Sequence, residues 1–161
     1  MKLIPLFSAI FLLSWLTFGT ASAQNPRDIF IKFEIDAAAI FDGGDVVDYS
    51  EMSDDNNGGS GSGKTSDFES EAYISKFVNW EINDIGANPN EFQIKFLDFP
   101  WTGSSGTFKD NPVKGGGKKA KAKIEDNAQV GVIKYTIRFT IRNKVTGETR
   151  TFELDPKIRV V

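Results

Sequence analysis

The stretch GGSGSGKT, 58–65, places Gly58, Gly63, Lys64 and Thr65 at the fixed positions of the phosphate-binding loop G-x-x-x-x-G-K-[ST]. Such a loop cradles nucleotide phosphates with backbone N–H groups where a buried strand turns into a helix. The flanks argue against that chemistry. The preceding SDDNN is no buried strand, and the carboxylates upstream would repel a phosphate. No apolar run ending in Asp supplies a second magnesium ligand. We read the match as a Gly/Ser-rich linker and expect no nucleotide partner.

Four other groups of residues could do chemistry. Asp42, Asp45, Asp48, Glu51, Asp54, Asp55 and Asn56 offer hard oxygen ligands for calcium. Their spacing does not meet the calcium-loop pattern, although Asp54, Asn56 and Gly58 begin a similar one. Asp98, Asp110, Asp126 and Asp155 fall near strand ends, where a carboxylate pair would do acid–base work, but nothing in their spacing selects a pair. Lys119, Lys121 and Lys123 alternate with Ala120, Ala122 and Ile124, and with Lys134, Arg138 and Arg142 they form a candidate basic face for a polyanion. No aromatics interleave these positions, so stacking on nucleic-acid bases is not expected. Trp101, in Phe99-Pro100-Trp101, is a candidate loop anchor for a sugar or a protein partner.

Composition removes whole classes of function. The chain has neither His nor Cys. The usual copper, zinc and haem sites and every Ser-His or Cys-His nucleophile are therefore excluded. No catalytic residue, cofactor or metal is assigned, and the chain is read as a non-enzyme. Charge is uneven along the chain. From Asp42 to Glu71 nine acids face one lysine, while from Lys109 to Val161 thirteen basic residues face six acids.

The elements that must position these residues begin after residue 23. MKLIPLFSAIFLLSWLTFGTASA carries a positive start, an apolar run and the small-x-small site Ala21-Ser22-Ala23. That pattern predicts a signal peptide, 1–23, cleaved before Gln24. The destination is periplasmic or secreted, with no membrane span left in the mature chain. Residues 24–161 are expected to form one domain, interrupted at 43–71 by a disordered, acidic, Gly/Ser-rich insertion.

Period-two alternation marks strands at Asp28–Asp36, in KFVNWEIND, in EFQIKFLDF, over Lys118–Ile124 and through GVIKYTIRFTIRN. KVTGE reads as a hairpin turn into TRTFELD, and KIRVV as a last short strand. The pattern predicts a single all-β, antiparallel β-sandwich of about seven to eight strands. An outer-membrane barrel is disfavoured because lysines and arginines occupy the face opposite the apolar one.

The tail that contains Asp155, Pro156, Ile158 and Val160 resembles the Asp-Pro-x-Ile-x-Val ending of small exported bacterial β-sandwich proteins, cupredoxin-like in outline. The resemblance implies the fold. It implies no copper site, because no ligand for one exists. The expected function is an exported, non-catalytic binding or interaction module for an envelope polyanion or a partner protein. The alternative is a calcium-dependent structural protein of the envelope.

Overall fold

The computed structural model describes residues 25–56, 62–103 and 106–161. The leader and the centre of the Gly/Ser-rich stretch, which includes Gly58, lie outside the described residues. The chain runs β1 (Ile29–Ile35), α1 (Ala37–Phe41), β2 (Ser50–Asp54), β3 (Ser62–Lys64), β4 (Glu69–Ala72), β5 (Phe77–Asp84) and β6 (Phe92–Phe99). It continues with β7 (Trp101–Thr102), β8 (Val113–Gly117), β9 (Lys119–Lys123), β10 (Gly131–Tyr135), β11 (Ile137–Asn143), β12 (Thr149–Leu154) and β13 (Lys157–Val160). The fold is all-β, with two sheets packed around one core. The one described helix, α1, is a single turn capped by Asp36, whose carboxylate accepts from the Ala39 N–H at 3.0 Å.

The larger sheet has nine strands in the order β12-β11-β6-β8-β9-β5-β1-β2-β3, and the smaller has four, β4-β13-β10-β7. Pairings are antiparallel except β1 with β5 and β4 with β13, which are parallel. In a flat sheet β1 and β11, five strands apart, would be separated by roughly 24 Å. Instead Phe33 of β1 meets Phe139 of β11 edge-to-face, with ring centroids 5.4 Å apart. The nine-stranded sheet therefore folds back on itself, and its two halves are the layers of a sandwich.

The bend falls at β8, where Gly115, Gly116 and Gly117 follow one another. A Cβ on Gly115 would lie 2.6 Å from the Phe96 Cβ, so only glycine lets β8 approach β6 so closely. Opposite this point β6 carries an irregularity between Phe96 and Asp98. Leu97 and Asp98 both turn away from the core, and Phe96 and Phe99 both turn into it.

The period-two reading holds on both halves of the sandwich. Ile29, Ile31, Phe33 and Ile35 of β1 are buried, as are Val78, Trp80 and Ile82 of β5 and Phe92, Ile94 and Phe96 of β6. Phe30, which interrupts the polar set on β1, stands on the outer face and is 54% exposed.

Three features differ from expectation in detail. The segment read as one long strand, GVIKYTIRFTIRN, breaks at Thr136, and its halves join different sheets. The Thr136 N–H donates to the Pro100 carbonyl at 2.8 Å, outside either ladder. The flanks of the insertion, 43–71, form β2, β3 and β4 and bury Met52, Thr65, Phe68 and Ser70. The sheets are built from more and shorter strands than alternation alone marks, because β2, β3, β4, β7 and β8 carry too few apolar residues to register.

Candidate functional site

The outer face of the larger sheet reads as charged rows running across strands. Lys32 on β1 is in register with Glu81 on β5, which is in register with Lys119 on β9. The Lys119 ammonium lies 3.6 Å from the Glu81 carboxylate. Two residues along β9, Lys121 stands over the Phe77 ring, its nitrogen 3.9 Å from the ring centroid. Asn79, between them on β5, donates to the Ile29 carbonyl at 3.1 Å.

Beside this row the sheet turns at β8, and Gly116 faces outward with no side chain. The missing side chain and the bend leave a trough of about 640 Å³ over β1, β5, β9 and β8. Its walls carry four lysines, Lys32, Lys114, Lys119 and Lys121, against one carboxylate, Glu81. Phe30 supplies an exposed aromatic ring to the same wall. A concave surface lined by one sign of charge focuses the field and raises the local concentration of counter-ions.

A second trough of about 330 Å³ adjoins the first and shares Lys114 and Lys121 with it. It adds Lys109 and Lys123, with Asp110 and Glu125 as its acids. Lys123 is engaged by Asp126 at 2.6 Å. That hydrogen bond holds the Asp126 carboxyl below its ordinary range and the Lys123 ammonium above its own.

The basic face expected from sequence is therefore not one stripe. Lys119 and Lys121 belong to the trough, and Lys123 lies at its continuation. Arg138 projects from the same sheet but is clamped by Asp98 through two hydrogen bonds of 2.6 and 2.8 Å. Asp98 also receives Lys114 at 3.6 Å. Arg142, farther along β11, is in register with Gln93 and Thr149, away from β9. Lys134 is on the other sheet because the strand breaks at Thr136. It is directly opposite Lys157 and lines a hollow of about 360 Å³ with Trp101 and Asp155.

Trp101 is half-buried rather than a free loop anchor. Its indole N–H donates to the Asp110 carbonyl at 3.0 Å, and its ring meets Phe108 edge-on at 5.9 Å. Asn111 brackets its backbone with bonds of 3.2 and 2.9 Å. The tryptophan closes one end of the core and offers an edge to the hollow.

The calcium set is dispersed in the structure. Asp45 accepts from the Val47 N–H at 2.8 Å, Asp55 accepts from the Phe30 N–H at 2.9 Å, and Asn56 is buried and donates to the Glu71 carbonyl at 2.7 Å. Among the described residues no group of three or more carboxylates converges as a metal site. Of the four candidate acid–base aspartates, Asp98 and Asp126 are each tied to a base. In GGSGSGKT, residues 62–64 form β3 paired with β2, and a turn and β4 follow where a phosphate loop needs a helix. Thr65 is buried, with its hydroxyl 3.3 Å from that of Ser50.

Sequence alternation missed Lys32, Lys114, Phe30 and Gly116. Lys32 and Phe30 are outward positions of a recognised strand, so the signal was present. Their meeting with β9 depends on β5 lying between, which no local pattern states. No protein-family model and no curated protein matches the chain. In fold it is similar to the crystal structure of the inclusion body protein PixA from Burkholderia cenocepacia J2315, with a TM-score of 0.66 at 9% identity. The match covers 87% of this chain and 99% of that one. At such identity the likeness establishes the fold alone.

Proposed function

We propose that the protein is an exported, non-catalytic binding module that holds an anionic ligand in the trough over β1, β5, β9 and β8. The observation that carries this reading is the excess of lysines over carboxylates on the trough walls, four against one. Lys32, Lys114, Lys119 and Lys121 are all exposed, so their ammonium groups exchange hydration water for a ligand's oxygens without unfolding anything. Glu81 holds Lys119 near the centre of the wall. It is the one carboxylate among the residues that line the trough. Export rests on the leader pattern in residues 1–23.

Heparin serves as a generic polyanion to test this reading. Binding to the folded state raises the melting temperature by mass action. The reading expects heparin to raise it for the unaltered protein and to lose that effect in the double variant Lys119→Glu, Lys121→Glu. No shift, or an equal shift in the variant, contradicts it.

A further inference from the structure

We infer that the ligand is a linear acidic polysaccharide lying along both troughs, rather than a small anion held at one lysine pair. The inference rests on the trough being the binding site and goes beyond it in naming the ligand class and the extent of the site. Two observations carry it: the continuity of the troughs and the spacing of their charges.

The troughs meet at Lys114 and Lys121, which line both. Lys119, Lys121 and Lys123 follow β9 from the first trough toward the second. Alternate residues of a strand lie roughly 7 Å apart, so these lysines leave the backbone as a ladder with that step. A single phosphate or carboxylate could use one rung. Only an extended ligand uses the ladder together with Lys109 at the far end and Lys32 at the near one.

The wall charges also favour a polysaccharide over a nucleic acid. Glu81, Asp110 and Glu125 interrupt the lysines, so the groove is a row of spaced cations and not a continuous basic surface. A nucleic-acid duplex carries a charge about every 1.7 Å of its axis and would bring phosphates onto these acids. A sugar chain presents hydroxyls between its carboxylates or sulfates, and those hydroxyls can donate to the wall acids. Single-stranded nucleic acids also need successive aromatic platforms. In the groove the Phe77 ring is already capped by Lys121. Phe30 remains 54% exposed, one flat apolar surface suited to the C–H face of a sugar ring.

The test uses the purified protein with size-fractionated heparin oligosaccharides, a tetrasaccharide and a dodecasaccharide, with a single-stranded DNA oligomer of matched charge as competitor. The longer fragment should bind about tenfold or more tightly, because its second half engages the adjoining trough at high effective concentration. Lys109→Ala with Lys123→Ala should weaken the dodecasaccharide far more than the tetrasaccharide and so abolish that length advantage. Unchanged melting temperatures establish that the variants fold. Equal affinity for both lengths, still lost on changing Lys119 and Lys121, overturns the extended site and leaves the binding module standing. DNA that competes as well as the dodecasaccharide overturns the polysaccharide assignment. Failure of both fragments to bind overturns the module itself.

Discussion

The indole N–H of Trp80 donates to the phenolic oxygen of Tyr135 at 3.2 Å, and their ring centroids lie 5.9 Å apart. One residue belongs to β5 of the nine-stranded sheet and the other to β10 of the smaller sheet. The bond is buried, so the two sheets are joined by a polar contact as well as by packing. Trp80 also packs on Phe99 and Phe108, which makes it the centre of the aromatic core directly beneath the trough.

Tyr135→Phe leaves the Trp80 N–H buried without an acceptor, which costs about 1–3 kcal/mol. Burial holds the Tyr135 hydroxyl well above the ordinary tyrosine value, with Trp80 opposing that shift. A raised pKa in the folded state means that this group's contribution to stability is full below about pH 10 and lost as the pH rises beyond it. Chemical unfolding of Tyr135→Phe should therefore show a deficit at neutral pH that narrows in alkali. The deficit should come without loss of heparin binding.

Asp54 behaves in the same sense, but in the acid range. Burial holds its carboxyl above the usual aspartate range, partly opposed by the Ser70 hydroxyl and the Asn56 N–H. The folded state thus binds this proton more tightly than the unfolded chain. Its contribution is present below the ordinary aspartate pKa and lost as the pH rises through the raised one. Asp54→Asn should raise the melting temperature at neutral pH, and the gain should disappear on acidification.

Neighbouring glycines should respond differently to one methyl group. On Gly115 a Cβ would meet the Phe96 Cβ and carbonyl oxygen at 2.6 Å, so Gly115→Ala should cost about 1–3 kcal/mol or more through overpacking at the bend. On Gly116 the nearest atom is the Lys119 carbonyl oxygen at 3.5 Å, an ordinary contact. Gly116→Ala should keep the melting temperature and weaken heparin, because its methyl stands on the trough floor. Thermal unfolding and titration of both variants check the contrast.

Arg138 and Lys119 make a second contrast. Arg138→Ala removes both bonds to Asp98, which is largely shielded from solvent, and should lower the melting temperature with heparin affinity unchanged. Lys119→Ala should reverse that pattern, because its partner Glu81 is exposed enough to be rehydrated.

These contrasts follow from features that differ in how plainly the chain displays them. The inward sets of β1, β5, β6 and β11 are legible because period-two alternation is dictated by a half-buried strand. The break at Thr136 is hidden for the same reason: Tyr135 and Ile137 are both buried, so alternation runs unbroken across a change of sheet. β8 is invisible because glycines carry no apolar or polar signature. Met52 and Phe68 are lone apolar residues in acidic surroundings, too sparse to mark the strands that bury them. Lys119 and Lys121 were legible as a charged edge. Their joining with Lys32 and Lys114 was not, since it depends on strand order and on a bend made by missing side chains.

The salt dependence of heparin binding tests the central claim most directly. The logarithm of the binding constant should fall linearly with the logarithm of salt concentration, and the slope should become shallower by roughly one to two units when Lys119 and Lys121 are both changed to Gln. A slope untouched by those substitutions would place the charge contacts elsewhere on the molecule. Binding that does not change with salt would contradict an electrostatic trough altogether.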